Sequence, residues 1–240
     1  MKKIFFALSI LFTAGTWAQK EGEVVYTTKV DMHAMIPDDS ENAEMIKSMM
    51  PQYQETTSTL LFTPTETLYG NGGETTDSEE ESLDEDGNGV HIKISMEQPE
   101  EKIYTDVEKG LVVEQRELMD KTFLIKDTID EAAWKITGET KNVSGLECMK
   151  ATMTDKEGNL IEAWFTPQIA VSSGPAGFGG LPGLIVYVSM EDGNYTITAT
   201  NIIPREVKED EIVAPKKGKT VTREKFAELE RKKMEQMQKQ

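Results

Sequence analysis

The chain has 240 residues, 38% of them hydrophobic and 7% aromatic, with 26 lysines and arginines against 43 aspartates and glutamates for a net charge of −17. That length holds one domain or two small ones, and the apolar fraction is lean but too high for a wholly disordered chain. The acidic balance argues against a broad nucleic-acid-binding surface, one cysteine excludes an internal disulfide, a Cys-only zinc site and an iron–sulfur cluster, and two histidines exclude a three-histidine metal site.

The first 18 residues read as a secretory signal peptide. Lys2 and Lys3 supply the positive end, residues 4–14 the apolar run, and Thr16-Trp17-Ala18 the small residues at −3 and −1 of a cut before Gln19. The run is too short for a good membrane anchor, and no later stretch has the length and apolarity of a spanning helix. No cysteine sits near the cut for a lipid anchor. The expectation is an extracytoplasmic protein, periplasmic or secreted, with no transmembrane anchor.

Residues 23–32 alternate, with Val24, Tyr26, Thr28 and Val30 on one parity, which predicts a strand. Residues 38–50 change period. Asp38 with Glu41 fits a helix start, Met45, Ile46, Met49 and Met50 give an apolar side, and Pro51 ends the helix. Strands follow over 57–62 and 67–69. Residues 71–89 hold eight acidic residues and no basic one, which predicts a mobile loop interrupting a sheet. Inside it, Asp84, Asp86 and Asn88 match positions 1, 3 and 5 of a calcium loop, followed by the turn glycine Gly89. Position 12 is Ser95 rather than glutamate and no flanking helix is evident, so these three are weak calcium candidates.

Further strands are predicted over 90–96, 102–105, 111–117 and 122–126 and from residue 134. Residues 145–153 with 160–165 read as one hairpin, and 184–190 with 195–203 as another. In the last strand Tyr195, Ile197 and Ala199 face one way and Thr196, Thr198 and Thr200 the other, as in a half-buried antiparallel sheet. Ten to twelve strands without long crossover helices predict a mainly β fold. It is a curved antiparallel sheet or incomplete barrel with an early short helix and a C-terminal helix. Residues 19–214 form its single domain. Residues 215–240 carry nine basic and four acidic residues, a tail of +5. Thr222 is placed to cap a terminal helix whose thin stripe of Phe226, Leu229 and Met237 lies weakly on the acidic body.

Gly180-Leu181-Pro182-Gly183-Leu184-Ile185 is the most specific run in the chain. With Trp134-Lys135-Ile136-Thr137, Cys148-Met149-Lys150-Ala151, Ala163-Trp164-Phe165-Thr166-Pro167 and Ser173-Gly174-Pro175, it resembles the GLPGLI family of exported Bacteroidetes proteins. Met149 departs from the compact Cys-Lys-Ala often found there. The resemblance covers nearly the whole mature chain and is sharpest from 134 to 185. It implies an exported domain of unknown function and assigns no catalytic residue.

The residues themselves point to a firm turn between two strands, buried or lining a groove. Its members are Trp134, Trp164, Pro175, Gly180, Leu181, Pro182, Gly183, Leu184, Ile185 and Tyr187. Pro182 before Gly183 fits a type II turn with positive φ at 183. The segment lacks the Walker lysine and the Gly-x-Ser-x-Gly elbow of serine hydrolases. Cys148 reads as a buried structural thiol. His33 with Met32, Met35, Met45 and Met49 offers copper(I)-type donors, although methionine is also an adaptable core filler.

No catalytic residue and no cofactor is assigned. The leading reading is an envelope-associated binding or interaction domain that holds a lipid, peptide or protein in an apolar groove, its partner an unknown envelope ligand or protein. One alternative is a cysteine-dependent or metal-assisted hydrolase, which needs Cys148, His33 or His91 and a carboxylate in one cleft. The other is a purely structural interaction protein that uses the acidic loop and basic tail.

Overall fold

Burial alternates residue by residue along β1 (Gly22–Asp31), from Glu23 to Lys29. A strand with one face in the core gives that pattern. The structure is a computed structural model that describes residues 20–37, 42–71, 78–83, 89–94, 101–129, 133–155 and 158–237. The signal segment, the Asp38–Glu41 helix start and the calcium candidates Asp84, Asp86 and Asn88 lie outside the described residues.

After β1 come a short helix α1 (Ala43–Ser48), β2 (Tyr53–Phe62), β3 (Glu66–Asn71), β4 (Ser78–Leu83) and β5 (Gly89–Ile94). Then follow β6 (Glu101–Asp106), β7 (Leu111–Leu118), β8 (Lys121–Thr128), β9 (Lys135–Val143), β10 (Leu146–Thr154) and β11 (Leu160–Thr166). The chain closes with β12 (Leu184–Met190), β13 (Tyr195–Pro204), β14 (Lys219–Val221) and α2 (Arg223–Met237). Among the described residues, twelve strands form one open sheet in the order β14-β8-β7-β6-β3-β2-β1-β13-β12-β11-β10-β9, and β4 and β5 pair separately. The mainly β class with an early short helix and a C-terminal helix holds, and the sheet does not close.

Two elements differ from the sequence reading. The acidic stretch is not wholly loop, because β4 runs through it and pairs antiparallel with β5, setting Glu79 opposite Lys93 and Glu81 opposite His91. The pattern of β5 was legible, but its partner is too acidic to read as a strand alone. The second is β14, three residues that pair parallel to β8, with Lys219 opposite Phe123 and Val221 opposite Ile125. So short a strand leaves no periodicity to read.

Ile103 on β6 and Ala151 on β10 belong to one buried cluster. They stand seven strand positions apart, over 30 Å at about 4.8 Å per strand in a flat sheet. The sheet therefore curls, and the segment between β11 and β12 fills the inside. The turn Pro175–Gly177 in that segment packs against β2, β3 and β6.

The C-terminal segment explains why β7 and β8 carry consecutive buried residues rather than alternation. Val207 and Ile212 cross the outer face and pack with Tyr104, Val113 and Leu124. The chain then rounds the sheet edge as β14, and α2 returns on the inner face. Thr222 Oγ1 accepts the Lys225 N–H at 3.2 Å, the predicted cap. Arg223 reaches Glu114 at 2.6 Å and Asp127 at 2.8 Å. Phe226, 4% exposed, meets Phe123 edge-on with centroids 5.6 Å apart and packs with Ile125. The tail is thus a clasp on both faces of the β6–β8 half, firmer than a weakly laid helix. Phe226→Ala is expected to destabilise the fold by about 3 kcal/mol in urea unfolding.

Arg205 ties the outer strap down, with bonds to Glu211 at 2.7 and 3.1 Å and to Glu23 at 3.1 Å. The Arg205 hydrogen bonds hold the Glu211 carboxyl at about 2, helped by the Lys208 backbone N–H. A depressed carboxylate contributes stability above its ordinary pKa and loses it as pH falls through the folded value. That window runs from about pH 4.5 to about 2. Glu211→Gln should flatten the acid limb of a stability-against-pH curve in that window and leave its alkaline side unchanged.

Candidate functional site

The segment from Thr166 to Ile185 is held by its own backbone. The Leu184 N–H donates to the Ile169 carbonyl at 3.0 Å and the Ile185 N–H to the Ser173 carbonyl at 3.0 Å. Across the core, the Tyr26 hydroxyl donates to the Ile185 carbonyl at 2.7 Å, and Thr67 Oγ1 lies 3.1 Å from Ser173 Oγ. Tyr26 is fully enclosed, and burial drives its phenol well above the ordinary range. It stays a neutral donor to that carbonyl.

Gly183 has φ +152°, positive as the sequence predicts. The turn is not type II, however. Its closing bond runs from the Gly183 N–H to the Leu181 carbonyl at 2.8 Å, a three-residue turn about Pro182, while the Leu184 N–H that a type II turn would use is taken by Ile169. Glycine is required here for close approach as well as for φ. A Cβ at 183 would sit 2.2 Å from the Thr166 carbonyl oxygen and 2.7 Å from its carbon. Gly174 is extended, and there the constraint is space alone, since its Cβ would stand 2.6 Å from the Ile185 Cβ. Gly183→Ala should cost about 3 kcal/mol in urea unfolding, at the upper end for overpacking, while Ser172→Ala changes stability little.

The ten turn or groove residues divide by burial. Trp164, Pro175, Leu181, Gly183, Leu184 and Ile185 are buried, Trp134 and Tyr187 half-buried, and Gly180 and Pro182 exposed. The buried six act as architecture. Trp134 is pinned by its indole N–H to the Gly179 carbonyl at 2.9 Å and lies 6.5 Å from the Phe178 ring. Trp164 and Tyr187 are register neighbours on the outer face and share one cation. Lys141 Nζ stands 4.0 Å from the Trp164 centroid and 4.6 Å from that of Tyr187. Burial pushes the Lys141 ammonium pKa down, and the Glu162 charge opposes that. Glu162 accepts the Trp164 indole N–H at 2.7 Å and pairs with Lys150 at 2.8 Å.

Cys148 is fully buried on β10, and its thiol is pushed up by burial. The His33 ring sits 3.1 Å from the Met50 carbonyl, beyond the last residue of β1. That end of the sheet is where β10 finishes, whereas Cys148 lies near the start of β10. The two are at opposite ends, so Cys148 and His33 do not share a cleft; the side chain of His91, the other histidine of that reading, lies outside the described residues. Among the described residues, no group of three histidine, cysteine or acidic side chains is placed to hold a metal. Cys148 should react slowly with a thiol reagent in the folded chain and fast in denaturant.

Sequence reasoning missed a cluster on the inner face, at the same sheet end as α1. Register places Glu101 opposite Arg116 and Tyr195 opposite Val30. Arg116 bonds Glu101 at 2.9 Å and Glu114 at 3.0 Å. Burial raises the Glu101 pKa, Arg116 opposes it, and Glu114 and Glu230 add to it. Tyr69 is pushed up to about 12 by burial against its bond to Ser58, and Tyr195, bonded to Thr28, is raised by burial and by the Glu101 charge. Met190, opposite Tyr195, and Met153 pack half-buried at the core margin. The result is a polar cluster at the core margin, with half-buried Tyr195, Glu101 and Arg116 above buried Tyr69 and Glu114, and with Arg116 paired to both carboxylates, which suits a ligand offering both hydroxyls and apolar surface. The only trace in the sequence was Tyr195 on the inward parity. Glu101 and Arg116 meet only through strand pairing.

The chain belongs to the family described as N-glycanase peptide, N-terminal domain, whose model matches residues 90–227. Among solved structures it is similar to PNGF-II in two crystal forms. Each is 15% identical with a TM-score of 0.55 over 88% of this chain, and the match covers 32% and 33% of PNGF-II. The chain thus spans about a third of the length of PNGF-II. An uncharacterised conserved protein from Thermus thermophilus aligns at 8% identity and a TM-score of 0.41, over 85% of this chain and 91% of that protein. No curated protein matches. At 15% identity the likeness to PNGF-II shows the fold alone. Among the described residues, no helix is long and apolar enough to cross a membrane.

Proposed function

We propose that the chain is an exported, non-catalytic binding module that holds a glycan-bearing polypeptide at the cluster of Tyr69, Glu101, Arg116 and Tyr195. The observation that carries this reading is the cluster itself: Glu101, Arg116 and Tyr195 sit half-buried beside buried Tyr69 on a sheet face that is otherwise core. Membership in a family described as the N-terminal domain of N-glycanase favours a glycan-bearing ligand over the lipid of an apolar groove, as does the burial of Leu181, Leu184 and Ile185. Phenols stack on sugar faces and donate to hydroxyls, while the carboxylate and guanidinium supply an acceptor and a donor. Export through the N-terminal signal and kinship with the GLPGLI proteins belong to the same proposal, which places the module in the periplasm or outside the cell.

The test is calorimetric titration with an N-glycopeptide and with the same peptide after deglycosylation. Tyr195→Ala and Glu101→Gln should each weaken binding of the glycopeptide about tenfold, with little change in melting temperature. Equal affinity for both peptides, or unchanged affinity in both variants, contradicts the reading.

A further inference from the structure

Large apolar side chains are exposed most densely on the segment that joins β1 to β2. Met35 is 66% exposed, Met45 57%, Ile46 40%, Met49 75% and Tyr53 46%. Met45 and Met49 are four residues apart, on α1 and at its C-cap. Exposed apolar residues gathered in one place mark an interaction surface, whereas scattered ones are ordinary. Methionine is flexible and polarisable, so such a surface adapts to varied apolar partners.

The charge around this surface selects among them. Among the described residues beside it, Asp31, Glu44 and Glu55 are acidic and Lys47 basic, while Lys29 of β1 pairs with Glu55 at 3.8 Å and lies over the Tyr53 ring at 3.9 Å. The neighbouring β12–β13 turn adds exposed Glu191 and Asp192, and it abuts the end of β1 through the bond from the Asp31 N–H to the Asn194 carbonyl at 2.7 Å. An anionic lipid surface is repelled by this field, and a cationic amphipathic peptide is attracted.

From this apolar patch in an acidic setting, we infer that the α1 face of Met45, Ile46 and Met49 is a docking surface for a cationic amphipathic segment of a partner polypeptide. It is separate from the glycan reading, because none of its residues belongs to the inner-face cluster. The peptide's apolar side covers Met45, Ile46 and Met49, and its lysines or arginines face the surrounding carboxylates.

The test uses the purified chain and an 18-residue helical peptide of leucine and lysine, with a leucine–glutamate peptide of the same pattern as control. Phosphatidylcholine vesicles with and without phosphatidylglycerol report on lipid. The chain should bind the lysine peptide, more weakly as salt rises, and should not bind the glutamate peptide or either vesicle. Met45→Ser with Met49→Ser should weaken that binding about tenfold at an unchanged melting temperature. Tyr195→Ala should leave it unaltered, which separates this surface from the inner-face cluster. Failure to bind the lysine peptide, equal binding of the glutamate peptide, retention of affinity in the double variant, or capture by vesicles in preference to peptide would each overturn the inference.

Discussion

The fold turns on a backbone contact that leaves no room for a side chain. At Gly183 the chain lies so close to the Thr166 carbonyl that a Cβ would stand 2.2 Å from its oxygen. The two residues bracket the segment that leaves β11 and returns to β12. Closing it this tightly lets Leu184 and Ile185 commit their amides to Ile169 and Ser173 and leaves the Ile185 carbonyl for Tyr26. The segment is thereby rigid enough to serve as core. It supplies fully or nearly fully buried Ile169, Val171, Leu181, Leu184 and Ile185. At roughly 1.5–3 kcal/mol for each such side chain, this burial is large beside the 5–15 kcal/mol of net stability usual for a domain.

A sheet curled round a plug has faces that differ in availability. The inner face is filled by the plug at the centre and by α2 toward β8. The outer face is covered by the strap through Val207 and Ile212 over β6–β8. Among the described residues, accessible groups remain around Glu101 and Tyr195 on the inner face, at Lys141 over the Trp164–Tyr187 pair on the outer face, and on the methionine surface at the strand ends. The inner cluster and the methionine surface share the end where β3 finishes and β6 begins. Both proposed binding surfaces therefore lie at that end, and buried Cys148 lies near the opposite one.

Much of the fold was legible because its signals are local. Val24 and Tyr26 alternate inward, the β12–β13 hairpin shows a turn at Gly193, and Thr222 announces a helix start. The motif from Gly180 to Ile185 was legible as a constrained turn, and the sign of φ at 183 followed from Pro182 preceding Gly183. The hydrogen bond of that turn was not, because the Leu184 amide is claimed by Ile169, fifteen residues away. The strand β14 was hidden for a similar reason: three residues pair with β8 only because the strap and α2 hold them there. The inner-face cluster was hidden by distance, since Glu101 meets Arg116 across a strand pair and both answer to Tyr195 from the far side of the sheet centre. Burial of Trp164 likewise depends on Lys141 reaching over it from the edge strand.

The most direct measurement is native-state hydrogen exchange at Leu184 and Ile185. If the segment from 166 to 185 is the plug on which the sheet curls, both amides should exchange only through global unfolding. They should then rank with Val24 and Ile197 among the slowest in the chain. Exchange of either amide at the rate of an exposed turn such as Gly158, with the strand amides still protected, would show a segment that opens independently of the sheet and would contradict its role as core.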